Sequence, residues 1–464
     1  MRSLCLFVLL SAAILSDGFL LKADRPQVNL DPNNIVIVDH IHLAVTGIKG
    51  EMIVMFATSI NVSSAQVEYW TASNTSARLL SDVATLTQYN TNDSYTSPFI
   101  QSVTLKGLQA GTQYFYRCGD PSLVWSADFN FTTESSSFED PFTFVAFGDH
   151  GTSINSTKVL NSMLREKSIS NFKLILHAGD LSYANGNGTQ WDIYHSIVMP
   201  LSTSTPWQVA VGNHEKEKKL NFIAYLTRYN WPYLQSGAQK KQLFYSFDYE
   251  NAHFIALDSE QKAYYPNGTD LQYTWLQNDL MNVNRTVTPW VFAYFHTPLY
   301  CTNIDHSGEG VPLVAAYEDL FYKYGLDVAF TGHVHAYERT VGVYKGRPDP
   351  NGPVYITNGA GGTQEGLAQN WGPTQSWSAY HQSDNWGIGV VQVHNATHLY
   401  YQFKEAEQNQ VMDSVWIVRK RGEAVASTVS DIDRPTTRPT ESRYSAGITL
   451  VISLSVLLSV ALLL

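Results

Sequence analysis

Oxygen and nitrogen donors stand at the ends of five short apolar runs in the later part of the chain. Phe142 to Phe147 leads into Gly148-Asp149-His150-Gly151, Leu174 to Leu176 into Gly179-Asp180-Leu181-Ser182-Tyr183, and Val209 to Val211 into Gly212-Asn213-His214-Glu215. Val291 to Phe295 leads into His296, and Val328 to Phe330 into Gly332-His333-Val334-His335. Each is commonplace alone: Gly-Asp is a turn, Asn-His a polar loop, and Tyr183 a half-buried aromatic. Their recurrence in order, always after a predicted strand, is not what a spread of unrelated turns would produce.

The donors Asp149, Asp180, Tyr183, Asn213, His296, His333 and His335 are more than one ion needs. They fit two, with one carboxylate shared between cations about 3.5 to 4 Å apart, the arrangement used for in-line displacement at phosphorus. Metal-bound water is acidic enough to supply hydroxide near or below neutral pH, and the paired charges hold the phosphate oxygens. Tyr183 narrows the choice of ion, because a phenol gives up its proton readily only to a strong Lewis acid such as ferric iron.

Bringing these loops together requires strands that end at a common edge. From Phe142 onward, short buried-looking runs, Phe254 to Leu257 among them, alternate with helix-compatible stretches such as Ser156 to Lys167 and Leu313 to Tyr324. That alternation predicts an α/β layered (α-β-β-α) domain over 138–421. Val354 to Thr357, Gly389 to Val393 and Leu399 to Phe403 are expected to complete its sheets from a C-terminal subdomain, 351–421. Residues 22–135 have another texture. Alternating runs without helical period, Ile35 to Val38, Met52 to Phe56, Gln66 to Trp70, Ser102 to Leu105 and Gln113 to Arg117, predict an antiparallel β-sandwich.

The stretch Leu105 to Tyr116 resembles the late-strand signature of fibronectin type III domains. The five donor blocks, over roughly Phe142 to Arg419, resemble those of the purple acid phosphatases within the calcineurin-like metallophosphoesterases, and the sandwich in front is similar to the plant-type, high-molecular-weight branch. The resemblance implies Fe3+ held by Asp149, Asp180, Tyr183 and His335. It implies a divalent ion, Zn2+, Fe2+ or Mn2+, held by Asp180, Asn213, His296 and His333, so that Asp180 is the bridge. It sets Asn213 and His214 against the phosphate, and His306 where the family carries a histidine that stabilises or protonates the leaving group, with Glu309 orienting it. The implied activity is an acid phosphatase acting on small phosphate monoesters through metal-bound hydroxide. A phosphodiesterase or nucleotide pyrophosphatase on the same site, peroxidation by a redox-active iron pair, and a surface binding module that uses the sandwich stay open as alternatives. Departures from the family pattern are His150 in the first block, Asp305 beside His306, and Ala293 opening the fourth block.

The 464 residues allow two or three domains, and 44% hydrophobic with 15% charged residues is the composition of a folded globular protein. A net charge of -11 argues against nucleic acid as a partner. Residues 1–21 read as a secretory signal peptide. Sequons at Asn61, Asn74, Asn92, Asn130, Asn155, Asn187, Asn267, Asn284 and Asn395 predict N-linked glycans. A Thr/Pro-rich stalk, 422–444, precedes an apolar tail, 445–464, which reads as a GPI signal or a single-pass anchor and as the only membrane contact. The expected destination is the secretory pathway, ending outside the cell, at its surface or in a lysosome-like compartment. A homodimer is compatible with all of this. With Cys5 removed with the leader, Cys118 and Cys301 are expected to form one disulfide.

Overall fold

A computed structural model describes residues 36–91, 95–137, 140–217, 221–233, 235–239, 242–260 and 271–419. The leader, the sequons at Asn92 and Asn267, the stalk and the apolar tail lie outside the described residues. Among the described residues no helix is long and apolar enough to cross a membrane.

The N-terminal part is a β-sandwich of two antiparallel sheets. One orders Val38–Ala44, Met52–Thr58, Phe99–Leu105 and Thr85–Thr87; the other orders Asn74–Leu80, Gln66–Thr71, Gln113–Asp120 and Val124–Trp125, with Phe129–Thr132 also on Gln113–Asp120. Alternation sets which side chains enter: Tyr114, Tyr116 and Cys118 face the sandwich core with Val54, Phe56 and Val103. Met52–Thr58 is buried at every position because its other face, Ile53 and Met55, joins the core of the following domain. Of the expected strand 35–38, the described residues 36–38 enter the ladder only at Val38; the paired run is Val38–Ala44, whose Ile41 and Leu43 are buried while Ile37 is exposed.

The second domain stacks two sheets. One orders Trp207–Ala210, Leu174–Ala178, Phe142–Phe147, Gly387–Val393, His398–Glu405 and Val411–Val418, its first three strands parallel. The other contains Tyr245–Tyr249, Ala252–Ala256, Trp290–Phe295, Val328–Thr331, Val354–Asn358 and Tyr337–Tyr344 in that order, with Ala252–Ala256 through Val354–Asn358 parallel. Phe144 joins the sheets, its ring edge-on to Phe254, Phe292 and Phe330 at 5.3, 5.2 and 5.8 Å. Helices Ile154–Ser170 and Gly188–Ser202 contribute Val159, Met163, Trp191 and Tyr194 to the first sheet's core, and Leu271–Asn282 and Val311–Tyr324 contribute Leu276, Leu320 and Phe321 to the second's. The result is the expected α-β-β-α layering. Segment 351–419 is divided between both sheets, since Val354–Asn358 belongs to one and Gly387–Val418 to the other.

Local chemistry sets the helix ends. Ser153 accepts the N–H groups of Asn155 and Ser156, and the Ser156 hydroxyl accepts that of Ser153, so the expected helix from Ser156 starts two residues earlier. Gly325, at φ 71°, closes Val311–Tyr324.

The expected disulfide is not formed. Cys118 and Cys301 are both free thiols, the first buried in the sandwich core and the second partly buried, following Leu299 and Tyr300 of a different hydrophobic cluster.

Candidate metal centre

The backbone is strained where the expected donors sit. Asp149, Asp180, Tyr183 and His333 have φ of 60°, 53°, 54° and 68°, the left-handed region that non-glycine residues seldom occupy. The tight turns aim side chains from the ends of neighbouring parallel strands into one space. Two glycines make room: a Cβ on Gly212 would lie 2.2 Å from Asp180 Oδ1, and one on Gly332 would lie 2.3 Å from Asp149 Oδ2.

Backbone donors orient both carboxylates. His333 N–H donates to Asp149 Oδ2 (2.7 Å) and His214 N–H to Asp180 Oδ1 (2.9 Å), which leaves Asp149 Oδ1 and Asp180 Oδ2 presented to the other side chains. Tyr183 OH lies 3.0 Å from Asp149 Oδ1 and 2.8 Å from His335 Nε2. His296 Nε2 lies 3.0 Å from Asp180 Oδ2, 3.0 Å from Asn213 Oδ1 and 3.1 Å from His333 Nδ1. The expected donors therefore meet as two adjoining sets.

The outer nitrogens show what the inner ones face. His296 Nδ1 is 3.0 Å from the Ala178 carbonyl oxygen, and His333 Nε2 is 2.7 Å from Glu309 Oε2. Each outer nitrogen thus donates its N–H to an acceptor. In the neutral rings the inner nitrogens carry lone pairs, aimed at one another and, from His296, at two oxygen acceptors, an array that a cation, or a proton on His296, would offset. Lone pairs so gathered are the donor set of a cation, and the outer acceptors are what holds a ligating imidazole in place. Asp180, His296 and His333 form one group of mutually close ligand atoms; His306, Glu309 and His333 form a second.

The electrostatics agree. Burial opposes charge on Asp180, yet His296 and His214 hold its carboxyl down at about 2. Burial likewise disfavours a charged His296, but Asp180 and Asp149 outweigh it and raise its pKa well above the usual value. Burial, then the Asp149 and Asp180 charges, push the Tyr183 phenol well up. Phenolate at this position therefore needs a cation in place of the proton.

His214 packs its ring 4.3 Å from that of Tyr183, with Nδ1 2.6 Å from Asn185 Oδ1 and Nε2 3.8 Å from Asp180 Oδ2 and 3.7 Å from Glu365 Oε1. His306 stands on the other flank, its ring 4.9 Å from His333 and its Nδ1 3.0 Å from Glu309 Oε2. The His333 and His306 bonds hold Glu309 down at about 2. Asp305 turns away to Asn370 (2.8 Å). His150 does not face the donors: it is buried against Phe147, His177 and Tyr194, Nδ1 on the Gly151 carbonyl, and burial lowers it to about 4.

Three groups that touch this site carry no role in the sequence reading. Glu215 is fully buried and accepts the N–H groups of Asp180 (2.8 Å), Gly212 (2.9 Å) and Leu181 (2.8 Å), pinning two donor loops together. Burial and the Asp180 charge push it up to about 8 against those three N–H donors. Its only signal in the sequence is its place in Gly212-Asn213-His214-Glu215. Asn185 and Glu365 lie on loops with no motif of their own.

Known proteins share these features. Residues 38–133 match the family model "Purple acid Phosphatase, N-terminal domain", 142–337 match "Calcineurin-like phosphoesterase", and 352–414 match "Iron/zinc purple acid phosphatase-like protein C". The chain is 36% identical to purple acid phosphatase 18 of Arabidopsis thaliana over 82% of this chain and 84% of that one. It is 34% identical to phosphoenolpyruvate phosphatase of Allium cepa (82% and 81%) and 31% identical to Fe(3+)-Zn(2+) purple acid phosphatase 12 of Arabidopsis thaliana (90% and 91%). Its fold is similar to that of purple acid phosphatase PPD1 from yellow lupin seeds, with TM-score 0.74 and 21% identity over 82% of this chain and 74% of the other.

Proposed function

The chain belongs to the purple acid phosphatases, and from that premise we propose that it hydrolyses small phosphate monoesters at a centre holding Fe3+ and a divalent cation. Asp149, Asp180, Tyr183 and His335 would hold the ferric ion. Asp180, Asn213, His296 and His333 would hold the divalent one, Zn2+, Fe2+ or Mn2+. The observation that carries this reading is the pair of imidazoles, His296 and His333, whose outer nitrogens are fixed on acceptors and whose inner nitrogens face one another, that of His296 also facing Asp180 and Asn213. When bound, the cations supply Lewis acidity and an acidified water for attack at phosphorus.

The protein's own residues do the rest. Asp180 and Asn213 keep the acceptor array in place, and Glu215 fixes the loops that carry them. His214, held by Asn185 and against Tyr183, offers an N–H to a phosphate oxygen. His306, on the opposite flank and with Glu309 accepting from its Nδ1, is placed to give the departing alcohol oxygen the proton of its other ring nitrogen when the ring is an imidazolium, leaving the neutral ring on Glu309.

Metal analysis of the purified full chain, with parallel monoester and diester assays across acidic pH, tests the reading. Iron with a second metal and turnover of the monoester are expected. Diester hydrolysis without monoester hydrolysis would favour the phosphodiesterase alternative, and iron-free protein with full activity would overturn the ferric assignment. Asp180→Asn should abolish turnover without unfolding the chain, which a surface module acting through the sandwich does not predict.

The same proposal takes the protein through the secretory pathway as a glycoprotein, outside or tethered to the cell. Exposure of Asn61, Asn74, Asn187, Asn284 and Asn395 supports it, as do the apolar leader and tail.

A further inference from the structure

Beyond His306 lies an open cavity of about 320 Å³, lined by the loop that leaves Trp290–Phe295, the first turn of Val311–Tyr324 and the turn at 345–346. His306 forms part of its wall, and the same ring packs on His333 of the candidate metal centre. One imidazole thus separates the cavity from the site.

The lining is mostly apolar. Tyr300 and Trp377 are 9% and 7% exposed, with ring centroids 5.2 Å apart, and Val311 and Val314 come from the helix. Tyr300 presents its ring rather than its hydroxyl, because that hydroxyl is bonded to Glu318 and accepts the Gly346 N–H (2.9 Å). Lys345 stands at the rim, its ammonium largely exposed and 3.8 Å from Asp319. Polyol hydroxyls would lose water here for few partners, whereas flat apolar groups would not.

In-line displacement sends the leaving group away from the attacking water, so a leaving alcohol protonated by His306 must carry its carbon skeleton past that ring. We propose that this cavity is a subsite for an aryl leaving group, which a polyol leaving group does not enter, and that it selects aryl phosphate monoesters. The inference rests on the phosphatase reading above. The cavity's volume is at the small end of clefts that take small molecules, which suits one or two fused rings rather than a polymer.

Filling the cavity tests it. Val314→Trp and Val311→Trp, the latter at a position 66% exposed and so tolerant of a larger side chain, would be made in the metal-loaded full chain. Each would be assayed on 2-naphthyl phosphate and glycerol 2-phosphate. Both variants should lose about tenfold in kcat/KM on the naphthyl ester, through KM, the scale on which a blocked apolar pocket discriminates. Glycerol 2-phosphate should stay within about twofold, which also reports that the site is folded. Reading each substrate as variant against wild type cancels the difference in leaving-group acidity. Unchanged naphthyl turnover, or equal loss on both esters in both variants, would overturn the subsite while monoester hydrolysis by the wild type still stands. Absence of wild-type turnover on either ester would instead overturn the phosphatase reading.

Discussion

Acid should loosen the seam between the two domains, and the change can be placed on three histidines. His40 and His42 lie on Val38–Ala44, and His195, on Gly188–Ser202, stacks over them at 5.3 and 5.1 Å. The three histidines line a small cavity with Arg228, which is bound to Asp192, Tyr89 and Tyr95, and the Tyr229 ring packs 5.1 Å from that of His42. Burial lowers His42 to about 4 and His40 to about 3, the Arg228 charge adding to the shift of His40, and burial drives His195 well below its usual value. The sign follows directly. As pH falls through 6.5 the unfolded chain takes up protons that the folded chain refuses until about 4, so stability is lost across that window and is fully present above it. For His42 alone the shift is worth on the order of 3 kcal/mol in full and about 2 kcal/mol at pH 5. The stacked rings titrate together, so the three effects do not simply add. His42→Phe keeps a ring in place and removes one titration. It also removes the bond from His42 Nδ1 to the His40 carbonyl, at a pH-independent cost of about 1 kcal/mol. The assay is the thermal midpoint of variant and wild type at pH 7 and pH 5. The variant should melt lower at pH 7 and gain on the wild type by about 2 kcal/mol, a few degrees, at pH 5. Taking the difference between variants cancels any metal loss common to both. Parallel pH profiles would refute the reasoning.

Three other outcomes are expected. Tyr183→Phe should abolish visible absorbance of the iron-loaded protein while leaving the fold intact; a coloured variant would remove the phenol from the ferric set. Glu215→Gln should lower metal affinity or kcat by roughly 10- to 100-fold, because it disturbs an acceptor shared by three backbone N–H groups, and wild-type kinetics with unchanged metal retention would contradict that role. His253, between Asp248 (2.7 Å) and Asp279 (2.9 Å), is raised to about 9 although burial opposes it. Its contribution, on the order of 3 kcal/mol, is therefore complete below 6.5 and lost as pH rises through 9. Melting at pH 7 and pH 10 should show the loss, and Asp279→Asn should shrink it.

The donors were readable because each follows a run of β-branched and aromatic residues too short for anything but a buried strand. Parallel strands carry their loops to one edge whatever lies between. What the sequence hid has physical causes. Asn74–Leu80 is exposed at every position and so has no apolar alternation to betray it; it is held by pairing to Gln66–Thr71 and by Arg78, which bridges to Glu68 and covers Trp70. Gly188–Ser202 opens with glycine and carries Pro200 near its end, so propensity argues against a helix that Asn187 caps and that Trp191, Tyr194 and Val198 bury. Glu215 acts on backbone N–H groups, which every residue but proline has, so no partner marks it. The free thiols show the opposite error, since a count of two cysteines says nothing about where the fold puts each: Cys118 is on a strand of the sandwich core, Cys301 on a loop of the second domain.

Strain and order at the centre are linked. Four donors in left-handed conformations cost about 1 to 3 kcal/mol each, so the loops would relax without restraint. The restraints are hydrogen bonds into buried carboxylates: His333 N–H to Asp149, His214 N–H to Asp180, and three N–H groups to Glu215. Every one of them joins groups on different loops or fixes the turn that aims a donor. Releasing any loop therefore both relieves its strain and withdraws acceptors from its neighbours, so the donor array forms as a unit. On this account a cation stabilises the whole set at once, and a lesion at Glu215, which faces no substrate, is felt at Asp180 through its backbone N–H and through the charge the two carboxyls share.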